Sequence, residues 1–404
     1  MTDRARPTRG NPGGSQTVLV LGAGYAGIMT ANGVRAALRP DEAASVRVVL
    51  VAPGAQFVER VRLHQLIAGS VGGVTRALDD LLHPEVEVVD GYATRIDPDA
   101  REVEVDRSTV LGYSVLVYAV GSGARPAAVD PHARVVACAE DSALARQDLA
   151  GLAPGRAVVV VGAGMTGVET ASEVAQARPD LQVTLVSAGV LLPGSPARAR
   201  GRVERTIREL GVALRTSATV VAVGRDAVTL ADGTVVPAHL CLWAGPLTTP
   251  ELAASSGLPV DGRGRLLVDG ALRTLGHPDI VGAGDAVSLP DVVGGHLRPS
   301  CASALALGRR AQDTVLALVR HEPVVARPVG YLVQCLSLGR AGGYVQLVKP
   351  DDTPLPLALH GRPAALVKEQ ITRMAVAAVE RERRRPGSYV VPPGPRPQRA
   401  RAGA

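Results

Sequence analysis

Thr17-Val-Leu-Val-Leu21 runs directly into Gly22-Ala23-Gly24-Tyr25-Ala26-Gly27, then into a helical stretch that reaches about Arg39 and stops at Pro40, with a second apolar run at Val46–Val51. An unbroken apolar run predicts a strand covered on both faces, and strand, tight turn, helix and strand in that order make a βαβ unit. In such a turn Gly22 permits the bend, Gly24 lets the backbone approach a pyrophosphate, and Gly27 lets helix and strand pack closely. The first amides of the helix then face the anion. Residues 22–27 are therefore candidates for binding a dinucleotide.

The same unit recurs 140 residues later. Ala157–Val161 reads as a strand, Gly162-Ala-Gly164-Met165-Thr166-Gly167 as the glycine turn, Val168–Ala177 as a helix stopped by Pro179, and Gln182–Val186 as the next strand. That period is too long for a solenoid and suits two nucleotide domains. Two dinucleotides on one chain point to electron transfer between them; a duplicated fold with one decayed site is the competing reading. The acidic residue expected on the ribose is absent from both units, since the second strands end at Ala52 and at Ser187. Ser187 with Arg198, Arg200 or Arg202 would accept a 2′-phosphate, or those arginines form a solvated helix face. NADH and NADPH both stay open.

The rest of the chain sets limits. Its 404 residues are 46% hydrophobic and 20% charged, enough for two or three cored domains and unlike a disordered chain. One Trp, one Phe and seven Tyr leave little for stacking nucleic-acid bases. The net charge of +6 belongs to the ends: residues 1–16 carry +2 and residues 381–404 carry +6, leaving a body near −2. No nucleic-acid surface is expected. Cys138, Cys241, Cys301 and Cys335 are scattered without metal-ligand spacing, which fits a reducing cytoplasm and no metal. No transmembrane helix or signal peptide is expected.

Tyr118-Ala119-Val120-Gly121-Ser122 and Gly282-Ala-Gly284-Asp285-Ala286 complete a pattern. With the paired glycine turns it resembles the two-dinucleotide-binding flavoproteins, and most nearly the type II NADH:quinone oxidoreductases and related FAD-dependent reductases. Leu63-His64-Gln-Leu-Ile-Ala-Gly69, Gly167-Val-Glu169-Thr-Ala-Ser-Glu173, Leu242-Trp-Ala244-Gly245 and Cys335-Leu-Ser-Leu-Gly339-Arg340 resemble further segments of that family. The resemblance implies FAD on the first unit, with contacts from Ala52, Arg62, Ala119, Val120, Gly121, Gly284 and Asp285, the last on the ribityl chain. It implies NADH or NADPH on the second, with contacts from residues 162–167, Ser187, Ala244 and Gly245. Glu169 would lie near the nicotinamide, positioning its carboxamide or relaying a proton, and His64 would donate to the reduced flavin or the acceptor. Both have ordinary structural readings as well, Glu169 as a first-turn glutamate suited to the helix dipole.

The acceptor is a small molecule, quinone-like or other. Family members that reduce quinones carry glutamines where this chain has Ala302 and Ala306. The paired cysteines of disulfide reductases are missing from residues 30–75, and Cys335 finds no convincing partner in Cys138 for sulfide chemistry. The alternative class is a flavin-binding redox sensor of apoptosis-inducing-factor type, without a turnover substrate. The expected architecture is α/β, with a discontinuous FAD domain (16–125 and 262–318), an NAD(P)H domain (126–261), a C-terminal α+β segment (319–385) and disordered tails (1–15 and 386–404). Leu366, Val367, Ile371, Met374, Ala375 and Val379 lie at helical spacing beside Lys368, Arg373 and basic residues 381–385. That face would pack on the FAD domain, meet a dimer partner, or touch a membrane peripherally.

Overall fold

The computed structural model describes residues 15–122, 129–245 and 248–395. The tails 1–14 and 396–404 and the expected boundary at 125–126 lie outside the described residues.

The chain opens with β1 (Gln16–Leu21), α1 (Tyr25–Ala37) and β2 (Val46–Ala52), followed by the short helix α2 (Leu63–Ile67), β3 (Val86–Asp90) and β4 (Val115–Tyr118). A second set follows: β5 (Ala133–Val135), β6 (Ala157–Val161), α3 (Met165–Ala177), β7 (Gln182–Val186), β8 (Ala213–Arg215) and β9 (Leu240–Trp243). The chain then returns with β10 (Arg273–Thr274) and β11 (His277–Gly282) and continues into the long helix α4 (Cys301–Val319). Two sheets result, ordered β10-β11-β4-β1-β2-β3 and β5-β9-β6-β7-β8. Apart from the antiparallel β10–β11 pair, both are parallel. Val18, Leu19 and Val20 and their counterparts Val158, Val159 and Val160 are fully buried, as strands covered on both faces require.

Helix α1 lies against α4 at two close approaches. A Cβ at Gly308 would stand 2.6 Å from the Ala26 carbonyl oxygen, and Gln312 Nε2 donates to Gly33 O at 3.0 Å. Small residues at these positions let the helices meet backbone to backbone, fixing the first glycine turn relative to the start of α4.

The C-terminal segment forms an antiparallel sheet of β12 (Val333–Ser337), β13 (Gly343–Val348) and β14 (Pro354–His360), then helix α5 (Gly361–Arg384). Its first two strands form a hairpin. The third strand escapes sequence reading because Pro354 and Pro356 break a strand pattern, and prolines are tolerated there because β14 is an edge. Leu240–Trp243 joins the second parallel sheet as β9, where Leu240, Cys241 and Leu242 are buried.

The apolar positions of α5 divide. Ala375, Val376, Ala378 and Val379 join the core around α1, with Asn32 Nδ2 donating to Val379 O at 3.2 Å, while Leu366 and Met374 are exposed. The tail expected to be disordered from residue 386 is ordered through residue 395. The buried Glu382 carboxylate accepts from Gly387 N, from Ser388 Oγ at 3.1 Å and from Tyr389 N at 3.1 Å, and Val329 bridges to Pro393. A Pro/Gly/Arg composition misleads here because one buried carboxylate holds the turn. Among the described residues no helix is long and apolar enough to cross a membrane.

Candidate active site

The two glycine turns are built alike. Gly22 and Gly162 have φ of 103° and 109°, in the left-handed region, and a Cβ there would stand 2.5 Å from Ala119 O and 2.6 Å from Ala244 O. Gly27 and Gly167 press on the first glycine of each loop: a Cβ would lie 1.9 Å from Gly22 O and 1.6 Å from Gly162 O. Gly24 and Gly164, the N-caps of α1 and α3, face open space. Each loop is thus a cradle whose walls exclude side chains and whose open middle lies at a helix N-terminus, the shape a pyrophosphate needs. Ala23 and Tyr25–Gly27 line the first; Met165 and Thr166 begin α3 beside the second.

Around the first cradle, Ala119, Val120 and Gly121 pass behind Gly22, and Gly284 packs with Ala26. Asp285 is thereby carried next to Ser122, whose hydroxyl donates to Oδ2 at 2.9 Å. Its other oxygen, Oδ1, is buried without a hydrogen bond among the described residues. Burial raises the Asp285 carboxyl, opposed by the Ser122 hydroxyl and by Arg60. A cavity lined by Arg265, Gly284, Asp285, Arg298 and Ser303 opens beside it. A buried carboxylate lining a cavity, beside a cradle that a Cβ would fill, fits a polyhydroxylated, diphosphate-linked cofactor. Arg60, which sequence reading passed over, donates to Ser122 O. Arg62 is committed elsewhere, to Glu59 at 3.1 Å, Gln65 at 2.9 Å and Glu369 at 2.9 Å. Ala52 ends β2 buried.

Near the second cradle, a Cβ at Gly245 would meet the Trp243 indole at 2.7 Å, so the turn after β9 is as constrained as the one after β4. Ser187 Oγ accepts from Gly189 N at 3.4 Å. Arg200 donates to Ser195 O at 2.8 Å.

Glu169 and His64, 105 positions apart, come together where α2, α3, β12 and α5 converge. Glu169 Oε1 accepts from Ser337 N at 3.0 Å and Ser337 Oγ at 3.1 Å, and pairs with Lys368 Nζ at 3.3 Å. Ser337 Oγ also shares a hydrogen bond of 3.3 Å with His64 Nε2. Burial opposes the charge on Glu169, but Lys368, His64 and the Ser337 amide prevail and hold the carboxyl below its ordinary value. Burial would lower the Lys368 ammonium; Glu169, with Cys335 and Cys301, raises it instead. His64 is pushed down to about 4 by burial, against the pull of Glu169. At neutral pH the cluster is a carboxylate, an ammonium and a neutral imidazole. Lys368 and Ser337 were missed in the sequence, although Lys368 is one of only two lysines among 44 basic residues.

The His64 shift has a consequence for stability. Above pH 6.5 the imidazole is neutral in both folded and unfolded chains; between 6.5 and about 4 only the unfolded chain takes up the proton, so acid removes stability. The loss reaches about 3 kcal/mol at the lower end. His64→Gln is expected to flatten the stability–pH curve from urea unfolding across that window; parallel curves for the two proteins would contradict it.

Paired cradles on two parallel sheets, with a buried acid–base cluster where the second meets the C-terminal segment, define an oxidoreductase that brings two dinucleotides together. Residues 16–306 match the family model described as pyridine nucleotide-disulphide oxidoreductase, and the chain belongs to that family. It is an enzyme and a flavoprotein, with FAD and a pyridine nucleotide as cofactors. The NADH dehydrogenase-like protein of Mycobacterium tuberculosis is 31% identical over 383 residues, covering 88% of this chain and 92% of its own length. The type II NADH:quinone oxidoreductase of Staphylococcus haemolyticus is 26% identical, covering 66% of this chain and 73% of its own. The sulfide:quinone oxidoreductase of Aquifex aeolicus shares the fold with a TM-score of 0.77 at 19% identity, over 92% and 93% of the two chains. The four cysteines here are free, so no disulfide stands among the described residues.

Proposed function

We propose that the chain oxidises NADH and delivers the electrons, by way of FAD, to a small acceptor that reaches the Glu169–Lys368–His64 cluster. The first cradle, residues 119–121 and Asp285 would hold FAD; the second cradle with Ala244 and Gly245 would hold NADH. When bound, the flavin supplies a two-electron carrier between nicotinamide and acceptor. The observation that carries the reading is the position of Glu169, two residues beyond the last glycine of the second cradle, yet buried against Ser337 and Lys368 of the C-terminal segment. With Oε1 anchored, Oε2 carries no hydrogen bond among the described residues and is the atom that would accept from a nicotinamide carboxamide. His64 and Ser337 form a short path along which a proton can move toward an acceptor.

NADH is favoured over NADPH because Arg200, one of the groups that would receive a 2′-phosphate, is turned to Ser195 O at 2.8 Å. The M. tuberculosis relative is named for NADH as well.

Anaerobic stopped-flow reduction of the FAD-loaded protein by NADH and by NADPH, followed by mixing with quinones, dyes and oxygen, tests this reading. Glu169→Gln keeps the volume and removes the charge, and is expected to slow flavin reduction by about 10- to 100-fold. Unchanged reduction kinetics would remove Glu169 from the site.

A further inference from the structure

We propose that Asp90, at the tip of β3, supplies the carboxylate that β2 lacks and accepts hydrogen bonds from the adenosine ribose hydroxyls of the flavin dinucleotide. The inference rests on the reading of the first cradle as the FAD site. A ribose diol beside such a cradle presents two donors and is ordinarily met by a carboxylate at the end of the second strand. Here that strand ends in Ala52, 2% exposed and without a polar side chain.

Ala52 pairs in register with Asp90 on the adjacent parallel strand, and Gly91 N donates to Ala52 O at 3.3 Å. The Asp90 side chain reaches across the end of β2: Oδ1 accepts from Gly54 N at 2.7 Å, in a turn where Gly54 has φ of 73°. Gly22 N donates to Val51 O at 2.9 Å, so the first cradle abuts this same end of β2. Asp90 is exposed, and its Oδ2 has no hydrogen bond and no ion pair among the described residues.

The neighbouring carboxylates are engaged. Glu59 pairs with Arg62 and with Arg76 at 2.8 Å, Glu87 with Arg47 at 2.6 Å, and Asp106 accepts from Tyr92 N at 2.9 Å. Asp106 keeps one oxygen as Asp90 does, but Asp90 is the carboxylate in register with Ala52 at the end of β2. One oxygen shapes the turn, and the other meets the sugar.

Asp90→Asn tests the assignment, because the amide oxygen can still accept from Gly54 N while the charge is lost. FAD and its 2′,3′-dideoxyadenosine analogue are titrated into the apoprotein and followed by flavin fluorescence, with thermal unfolding of the apoproteins alongside. The native chain is expected to prefer FAD over the analogue by about tenfold, the worth of a charge-assisted hydrogen bond. Asp90→Asn should lose that preference, binding FAD about tenfold more weakly and the analogue as before, with its melting temperature unchanged. A variant that keeps the preference would overturn the assignment, as would one that loses both flavins equally. A native chain that binds neither flavin would defeat the reading of the first cradle itself, a result distinct from either.

Discussion

Lys368→Met is expected to cost about 3 kcal/mol of stability at neutral pH, the usual penalty for leaving a buried carboxylate without its partner. Lys368 Nζ lies 3.3 Å from Glu169 Oε1, and both side chains are largely buried. Without the ammonium, Glu169 keeps two hydrogen bonds from Ser337 but loses the charge that offsets its desolvation. The carboxyl would then rise. The double variant Lys368→Met/Glu169→Gln removes both charges and is expected to recover most of the loss, since a neutral pair no longer carries an uncompensated ion. Urea unfolding of the four proteins in this cycle measures the coupling. A single variant within about 0.5 kcal/mol of the native chain would show that the ion pair is incidental.

The largest effects are expected at the third glycine of each loop. A Cβ at Gly27 would stand 1.9 Å from Gly22 O, and one at Gly167 would stand 1.6 Å from Gly162 O. Neither loop can yield, because Gly22 and Gly162 are themselves pinned against the carbonyls of Ala119 and Ala244. Valine at either site must push the helix away from its turn and pull the helix amides off the anion. Gly27→Val is expected to give protein that retains no flavin. Gly167→Val is expected to remain yellow and reducible by dithionite while losing reduction by NADH by roughly a hundredfold or more. The two variants together assign each cradle its cofactor; a yellow Gly27→Val protein reduced normally by NADH would reverse the assignment.

Much of this architecture is legible in the sequence because backbone sterics dictate it. The buried runs at residues 17–21 and 157–161 and the glycines behind them leave few alternatives, and the strand–turn–helix–strand order follows. The cluster around Glu169 is not legible in the same way. Glu169, His64, Ser337 and Lys368 lie on four elements, and no local rule links positions 169 and 368. In sequence Lys368 is merely one cation of a basic helix; its use of lysine in an arginine-dominated chain is the only hint.

Arg60 and Arg62 show the limit more finely. They differ by two positions in one turn, yet Arg60 reaches Ser122 and Arg62 reaches Glu369. In residues 386–395 composition describes an isolated segment, whereas the Glu382 carboxylate accepts hydrogen bonds from Gly387 N, Ser388 Oγ and Tyr389 N.

The proposed electron path requires both cradles to act together. Anaerobic titration of the FAD-loaded protein with NADH, monitored at the flavin absorbance band near 450 nm, measures this directly. Bleaching complete at about one equivalent of NADH per flavin is the expected result. Protein that binds FAD but keeps its full absorbance under excess NADH would contradict the account.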